Sequence, residues 1–209
     1  MIKILYDHQM FSMQKFGGVT RYFADLIFNL PQDFEKEVAM QYSENHYITK
    51  TYNQTFKTID SLQNFRIKRR LYYFFNHQIS KKTIKENQFD VFHPTYYNPY
   101  FLKYIQKPFV ITVHDMIHER FPDFFPAYEN TAKIKKIIIN KANHIIAVSQ
   151  NTKKDIVELL NINPDKITVV YHGYNQQIKA SNALYGNYIL FVGRTRMGNL
   201  ERGMIGKTS

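Results

Sequence analysis

Phe16-Gly17-Gly18-Val19-Thr20-Arg21-Tyr22-Phe23 joins the first strand-like run of the chain to its first clearly amphipathic helix. From Val19 onward the apolar residues fall at Val19, Tyr22, Phe23, Leu26, Ile27 and Leu30, which form one face of a helix, and Pro31 stops it. The two glycines therefore stand at or just before a helix N-terminus. Unpaired N–H groups and the positive end of the macrodipole are exposed there, and a residue without Cβ lets an anion approach the backbone. The pair has two readings: a loop that faces a phosphate, or a plain turn into the helix. It does not make a G-x-G-x-x-G fingerprint that would decide between them.

On the N-terminal side of this junction, Ile2-Lys3-Ile4-Leu5-Tyr6 is apolar except at Lys3, as expected of a strand buried on both faces of a parallel sheet, and residues 7–16 form a loop. On the C-terminal side, residues 37–42 read as a second strand, and the polar stretch 43–61 has no assignable period. Residues 62–87 are helical with a break near Asn76, and Phe89-Asp90-Val91-Phe92-His93-Pro94 is a short strand stopped by proline. Tyrosines mark the loop 95–100. Residues 108–115 form an apolar strand ending in His114-Asp115, a helix lies within 123–143, and 144–148 is another buried-type strand. Ser149 is placed to cap a helix over 150–160, and a strand over 167–173 closes the series.

Strands and helices alternate throughout, so residues 1–173 are expected to form an α/β domain with a doubly wound, parallel, Rossmann-like sheet. Ligands bind such sheets beyond the C-terminal ends of the strands, which directs attention to the loops at 7–18, 93–99 and 114–125. Residues 174–187 read as a linker. Residues 188–209 begin with a strand, Tyr188-Ile189-Leu190-Phe191-Val192-Gly193, after which no Phe or Tyr occurs and no period is visible. The expectation is the first strand of an incomplete, truncated second domain.

Composition narrows the class. With 209 residues, 44% hydrophobic and 16% aromatic, the chain can bury a core. It has no cysteine, which excludes a disulfide scaffold and any Cys-based zinc site. The N-terminus reads as a strand and not as a signal peptide, so a cytoplasmic location is expected, and no apolar run approaches the roughly 18–20 residues that span a bilayer. The net charge of +11 calls for an anionic partner. Arg66, Lys68, Arg69, Arg70, Lys81, Lys82 and Lys85 flank large aromatics with no acid between 66 and 85. That segment is either a helix lying at an anionic membrane surface or a solvated basic helix whose aromatics face the core. The basic residues match no nucleic-acid-binding motif, so nucleic acid is not an expected partner. His114 and His118 with His93 or Asp115 sketch a metal site without a nameable second shell, and no metal or cofactor is expected. Gly206-Lys207-Thr208 lacks the glycine that a phosphate loop needs five residues earlier, where Glu201 stands.

Six landmarks in order carry a family resemblance: Gly17-Gly18-Val19-Thr20-Arg21-Tyr22-Phe23, Asp90-Val91-Phe92-His93-Pro94, Thr112-Val113-His114-Asp115-Met116, Ala147-Val148-Ser149-Gln150-Asn151-Thr152, Val169-Val170-Tyr171-His172-Gly173 and Ile189-Leu190-Phe191-Val192-Gly193. Together, over about residues 1–193, they resemble glycosyltransferase family 4, retaining enzymes of the two-domain GT-B fold. The resemblance implies an N-terminal acceptor-side domain, a C-terminal domain holding most of the nucleotide-sugar donor, and hexosyl transfer to a glycan or lipid-linked acceptor in cell-envelope polysaccharide synthesis. By position it makes His114 the catalytic-site residue contacting the donor sugar, and Gly17 and Gly18 a loop facing the donor pyrophosphate. It makes Arg194 or Arg196 the cation on the leaving phosphate, and gives Asp115, Arg21, Tyr96 and Tyr97 a supporting or acceptor-loop role. The family's lysine before Asn199 is replaced by Gly198, and its glutamate pair is absent. The isolated chain is accordingly expected to be inactive. The alternative is a non-catalytic domain that binds an anionic ligand or a membrane surface.

Overall fold

The computed structural model describes residues 1–51, 56–60, 64–126 and 128–173. The expected linker at 174–187, the strand at 188–193, and Arg194 and Arg196 lie outside the described residues. Within the compact unit Met1–His172, six strands alternate with seven described α-helices: β1 (Ile2–Tyr6), α1 (Gln9–Met13), α2 (Gly18–Asn29), β2 (Phe34–Val38), α3 (His46–Thr51), α4 (Phe65–Glu86), β3 (Val91–His93), β4 (Val110–Val113), α5 (Ile117–Arg120), α6 (Thr131–Lys141), β5 (His144–Ala147), α7 (Gln150–Leu160) and β6 (Ile167–Val169).

All strand pairs are parallel. Three strands pair as β2-β1-β3 and three as β4-β5-β6. A parallel bridge between Phe92 and Phe109, with the Phe92 N–H donating to the Pro108 carbonyl at 3.0 Å, joins the two sets. The order across the sheet is thus β2-β1-β3-β4-β5-β6, the doubly wound pattern expected from the alternation, and its direction of winding reverses between β1 and β3. A crevice for ligands opens at such a reversal, beyond the C-terminal strand ends.

Side chains alternate across a strand, so neighbours in β1 serve opposite layers. Leu5 joins the larger core with Ile84 of α4, Ile111 and Val113 of β4, Ile138 and Ile139 of α6 and Ile156 of α7. Tyr6 joins a second core with Phe23 and Ile27 of α2, Met40 just after β2, and Ile48 of α3. Only the C-terminal half of β1 is buried on both faces, since Ile2 is exposed.

The expected second strand is displaced. Pairing occurs at Phe34–Val38, and the apolar residues Ala39 and Met40 follow it. β2 is the edge strand, and its Glu35 and Glu37 hold Lys3 of β1 at 3.3 and 2.9 Å, so charge pairs mark it where hydrophobic alternation does not. The expected break at Asn76 is absent, and α4 runs unbroken over 22 residues. Asn76 is fully buried and uses its amide as a clamp. It accepts from the Gln41 and Tyr42 N–H groups at 3.0 Å and donates to the Tyr42 carbonyl at 2.6 Å and to Ser12 Oγ at 2.9 Å. α6 begins at Thr131, because the segment ahead of it folds as the short turn α5 and a 3-10 turn at Pro122–Phe124. Ser149 caps α7 as its position suggested, accepting from the Thr152 N–H at 3.1 Å.

Candidate functional site

The C-terminal ends of β1, β3 and β4 meet at the reversal, and the residues following them line a pocket of about 130 Å³. α1 contributes Met10 and the next turn Gln14; the start of α2 contributes Val19. Tyr96 and Tyr97 follow β3, His114 and Asp115 follow β4, His118 comes from α5, and Thr131 and Lys135 from α6. The segment 7–18, read as a loop, contains α1.

His114 sits with its ring among other rings. Its ring packs edge-on against Tyr22 at 5.1 Å and lies parallel to His172 at 5.8 Å. Its backbone N–H donates to the Tyr97 hydroxyl at 3.4 Å, which in turn donates to the Thr112 carbonyl at 3.3 Å. Burial, then the neighbouring His172, lowers its pKa to about 4 against the opposing pull of Asp115. The imidazole is therefore neutral near pH 7 and can offer a hydrogen bond without charge. Its Nε2 is buried and, among the described residues, has no partner.

Two more polar atoms of the same pocket, Gln14 Oε1 and His118 Nδ1, are buried and unpartnered among the described residues. His118 donates Nε2–H to Glu129 at 3.0 Å and stacks on Phe125 at 4.0 Å, which fixes the ring and leaves Nδ1 free to meet a ligand. Buried polar groups are normally paired, so three unpaired ones converging on one concavity mark where an external hydroxyl, amide or water is to be received.

Gln14 and Val19, on either side of the glycine pair, line this pocket, so the pair lies next to it. Gly17 is the N-cap residue of α2, no side chain caps that helix, and its first turn holds no acid. Orphan N–H groups at a helix start seek an acceptor or an anion. The two glycines differ. A Cβ on Gly17 would fall 1.9 Å from Gln14 Oε1, whereas one on Gly18 would meet nothing within 4 Å. Gly17 thus lets the flexible Gln14 amide lie close, and Gly18 borders open space.

Lys135 holds the floor. The ammonium is almost wholly buried and donates to the Asp115 carbonyl at 2.9 Å and to Glu119 Oε2 at 3.1 Å. It also lies 5.3 Å from the centre of the Tyr97 ring. Asp115 does not touch the His114 ring. Its Oδ1 accepts from the Ile117 N–H at 3.3 Å and stands 3.7 Å from Lys135 Nζ, so it shapes the turn into α5. Arg21 points elsewhere, pairing with Asp25 one turn along α2 at 3.6 Å on the exposed surface.

His93, which ends β3, is not free to act. Its Nε2 lies 2.9 Å from Thr112 Oγ1, burial lowers its pKa to about 3, and Tyr22 Oη approaches the same hydroxyl at 3.2 Å. Among the described residues no three His, Asp or Glu side chains gather as a metal ion would require.

The model of Glycosyltransferase Family 4 matches residues 16–177, from the glycine junction to just past β6. The chain belongs to glycosyltransferase family 4. It is also 30% identical over 83 residues to the O-antigen chain mannosyltransferase RfbU of Salmonella typhimurium, an alignment covering 40% of this chain and 24% of that protein. The chain therefore spans about a quarter of the length of the curated relative it matches. The parallel α/β architecture is that of the N-terminal, Rossmann-like half of a GT-B glycosyltransferase.

Of the residues the sequence singled out, His114, Asp115, Tyr96 and Tyr97 line one pocket, and the glycine pair lies between its lining residues Gln14 and Val19. It passed over Gln14, Lys135 and the partners His172 and Tyr22. Lys135 was legible only as one of several lysines on a helix. The signal available was its place on the α6 face shared with Ile138 and Ile139, where a solvated lysine would not sit.

Proposed function

We propose that the pocket is the sugar-receiving side of a retaining hexosyltransferase. It would pass a hexose from a nucleotide-sugar donor to a glycan or lipid-linked acceptor in cell-envelope polysaccharide synthesis, from a peripheral position at the inner face of the membrane. The observation that carries this reading is the neutral, partly enclosed His114 with an unpartnered Nε2, beside the uncapped N-terminus of α2.

The chemistry divides between these two features. Breaking the anomeric bond leaves negative charge on the departing phosphate, and fixed N–H dipoles at Gly18 and Val19 stabilise it without reorganising. His114 contacts a hydroxyl of the transferred sugar, and its neutrality keeps it from competing with the oxocarbenium-like centre by charge. Tyr96, Tyr97, His118 and Gln14 contact the acceptor; Asp115 keeps the turn in place, and Arg194 or Arg196 supplies the cation for the leaving group. Arg21 is at most a surface contact of the acceptor loop. No metal and no organic cofactor enters the scheme. The printed function of the Salmonella relative supports mannose as the first sugar to try and an O-antigen-type chain as the first acceptor.

Saturation-transfer NMR on the purified chain with a panel of nucleotide hexoses and lipid-linked glycan analogues tests this. Transfer to hexose ring protons is expected, and His114→Ala should abolish it. Absence of transfer from every sugar ligand, or transfer indifferent to His114→Ala, would remove the assignment.

A further inference from the structure

The backbone at residue 17 does not ask for glycine. Gly17 has φ 172 and ψ 154, extended values that any residue adopts. What excludes a side chain there is a neighbour: a Cβ on Gly17 would overlap the side-chain amide of Gln14, whereas one on Gly18 would meet open space. The Gln14 amide therefore lies in the volume that the missing Cβ leaves, and its Oε1 is buried without a partner among the described residues.

Both ends of this contact are held. The Gly17 carbonyl accepts from the Thr20 hydroxyl at 2.9 Å and from the Arg21 N–H at 3.0 Å. The Gln14 N–H donates to the Met10 carbonyl at 3.0 Å, and the Gln14 carbonyl accepts from Asn45 Nδ2 at 2.7 Å. With the two backbones fixed, the Gln14 side-chain torsions set where the amide lies, and the gap at Gly17 admits it.

Asn45 stands in the stretch without an assignable period, and it is 1% exposed. Its amide is divided between two tasks. Oδ1 accepts from the Tyr47 and Ile48 N–H groups at 3.1 and 3.2 Å and so starts α3, while Nδ2 holds the Gln14 carbonyl and reaches the Lys15 carbonyl at 3.4 Å. The His46 N–H donates to the Lys15 carbonyl at 3.0 Å. Ser43 Oγ accepts from the Asn45 N–H at 3.1 Å and donates to the Phe11 carbonyl at 3.3 Å. The chain between α1 and α2 is thus fastened to residues 43–46 at Phe11, Gln14 and Lys15.

We propose that the Gln14 amide is the group by which the pocket selects an uncharged hydroxyl of the sugar ligand, and that Gly17 and Asn45 are its positioning residues. A primary amide carries an acceptor and donors on one neutral, planar group, which matches a sugar hydroxyl, itself donor and acceptor, better than it matches a phosphate. A buried amide oxygen without a partner costs free energy, and a ligand hydroxyl that completes the bond recovers it. The glycine pair thereby splits: Gly17 makes room for Gln14, and Gly18 stays open beside the helix N-terminus. The choice of a sugar hydroxyl rests on the proposed function; the dependence of Gln14 on Gly17 and Asn45 does not.

Methyl α-hexopyranosides, which carry hydroxyls and no charge, are titrated into the ¹⁵N-labelled chain, and the Gln14 side-chain NH₂ signals are assigned by their loss in Gln14→Ala. Those signals are expected to move with hexoside and not with inorganic pyrophosphate. Gln14→Ala should weaken hexoside binding about threefold to tenfold, the loss of one neutral hydrogen bond. Gly17→Ala should shift the Gln14 signals and weaken binding as much, with a urea midpoint near that of the native chain, because the end of a flexible side chain is what has to move. The double variant Gln14→Ala, Gly17→Ala should bind no more weakly than either single one. Asn45→Asp keeps the acceptor that starts α3 and loses the donor to Gln14, so it should shift the Gln14 signals and weaken hexoside binding too. Losses that add in the double variant, Gln14 signals unmoved by Gly17→Ala, or signals that follow pyrophosphate and ignore hexoside would overturn the proposal. Hexoside binding lost in His114→Ala but kept in Gln14→Ala would overturn it and leave the proposed function standing. Absence of hexoside binding to the native chain would overturn the proposed function and, with it, the ligand assigned to Gln14.

Discussion

Asp7 at the end of β1 and His114 at the end of β4 stand two strands apart on the same edge of the sheet, and the fold treats them differently. Asp7 is fully buried and its carboxylate is used up by donors. It accepts from the Thr95 N–H at 2.9 Å, Thr95 Oγ1 at 2.8 Å, Gln9 Nε2 at 2.7 Å, the Gln9 N–H at 3.4 Å and Tyr100 Oη at 3.1 Å. His114 keeps a ring nitrogen unspent, beside two other unspent polar atoms. A saturated cluster rigidifies the crevice and an unsaturated one receives a ligand. Burial alone does not distinguish a structural polar group from a functional one, and neither does a missing partner by itself, since His8 Nε2 beside Asp7 is also buried without one among the described residues; what sets His114 apart is that it lines the pocket as well.

Acid should reach both regions and produce the largest effect. His8 beside Asp7 and His93 are lowered to about 3 and His114 to about 4, chiefly by burial, from the ordinary 6.5 of an exposed histidine. These depressed values mean that the unfolded chain takes up protons first, so the stability they confer is present above about pH 6.5 and is lost as pH falls toward 4 and 3. Between pH 7 and pH 5 the loss is about 2 kcal/mol for each histidine. Urea denaturation at the two pH values measures it, and equal midpoints would contradict the buried neutral state.

Next is Lys135→Met, which leaves Glu119 buried without its cation and the Asp115 carbonyl unpaired. A loss of about 3–5 kcal/mol is expected in denaturant unfolding. A loss below about 1 kcal/mol would mean that the pocket floor does not depend on this ion pair.

Asp7→Asn is a milder break on the saturated side. One carboxylate oxygen becomes an amide that faces donors, for about 1–3 kcal/mol, with sugar binding retained in the surviving folded fraction. His114→Ala should do the reverse. Its unfolding free energy should change by about 1 kcal/mol or less, because no ring hydrogen bond is lost, while ligand binding disappears. If the two variants exchanged these phenotypes, the division between saturated and unsaturated clusters would be wrong.

Much of this edge was legible in the sequence, and the reasons are local. β4 is an apolar run whose end is marked by His114-Asp115, Ser149 announces α7, and the glycine pair announces α2. β2 was misplaced because an edge strand pairs through Glu35 and Glu37 with Lys3, a pattern with no apolar period. Asn76 looked like a helix breaker because its buried partners, Tyr42 and Ser12, are 34 and 64 residues away in the chain. Gln14 was invisible for the same reason, and Lys135 showed its burial through its helical spacing with Ile138 and Ile139 but not its partners. Their importance lies in contacts between the turn after α1, α6 and the β4–α5 turn, which no short-range spacing encodes.

The most direct measurement is the ring nitrogen spectrum of His114 in ¹⁵N-histidine-labelled chain, assigned by comparison with His114→Ala, at pH 7 with and without nucleotide hexose. A neutral imidazole is expected, with its Nε2 resonance moving on addition of the sugar ligand while that of His93, bound to Thr112, stays in place. An imidazolium at pH 7, or an Nε2 resonance that ignores the ligand, would contradict the account.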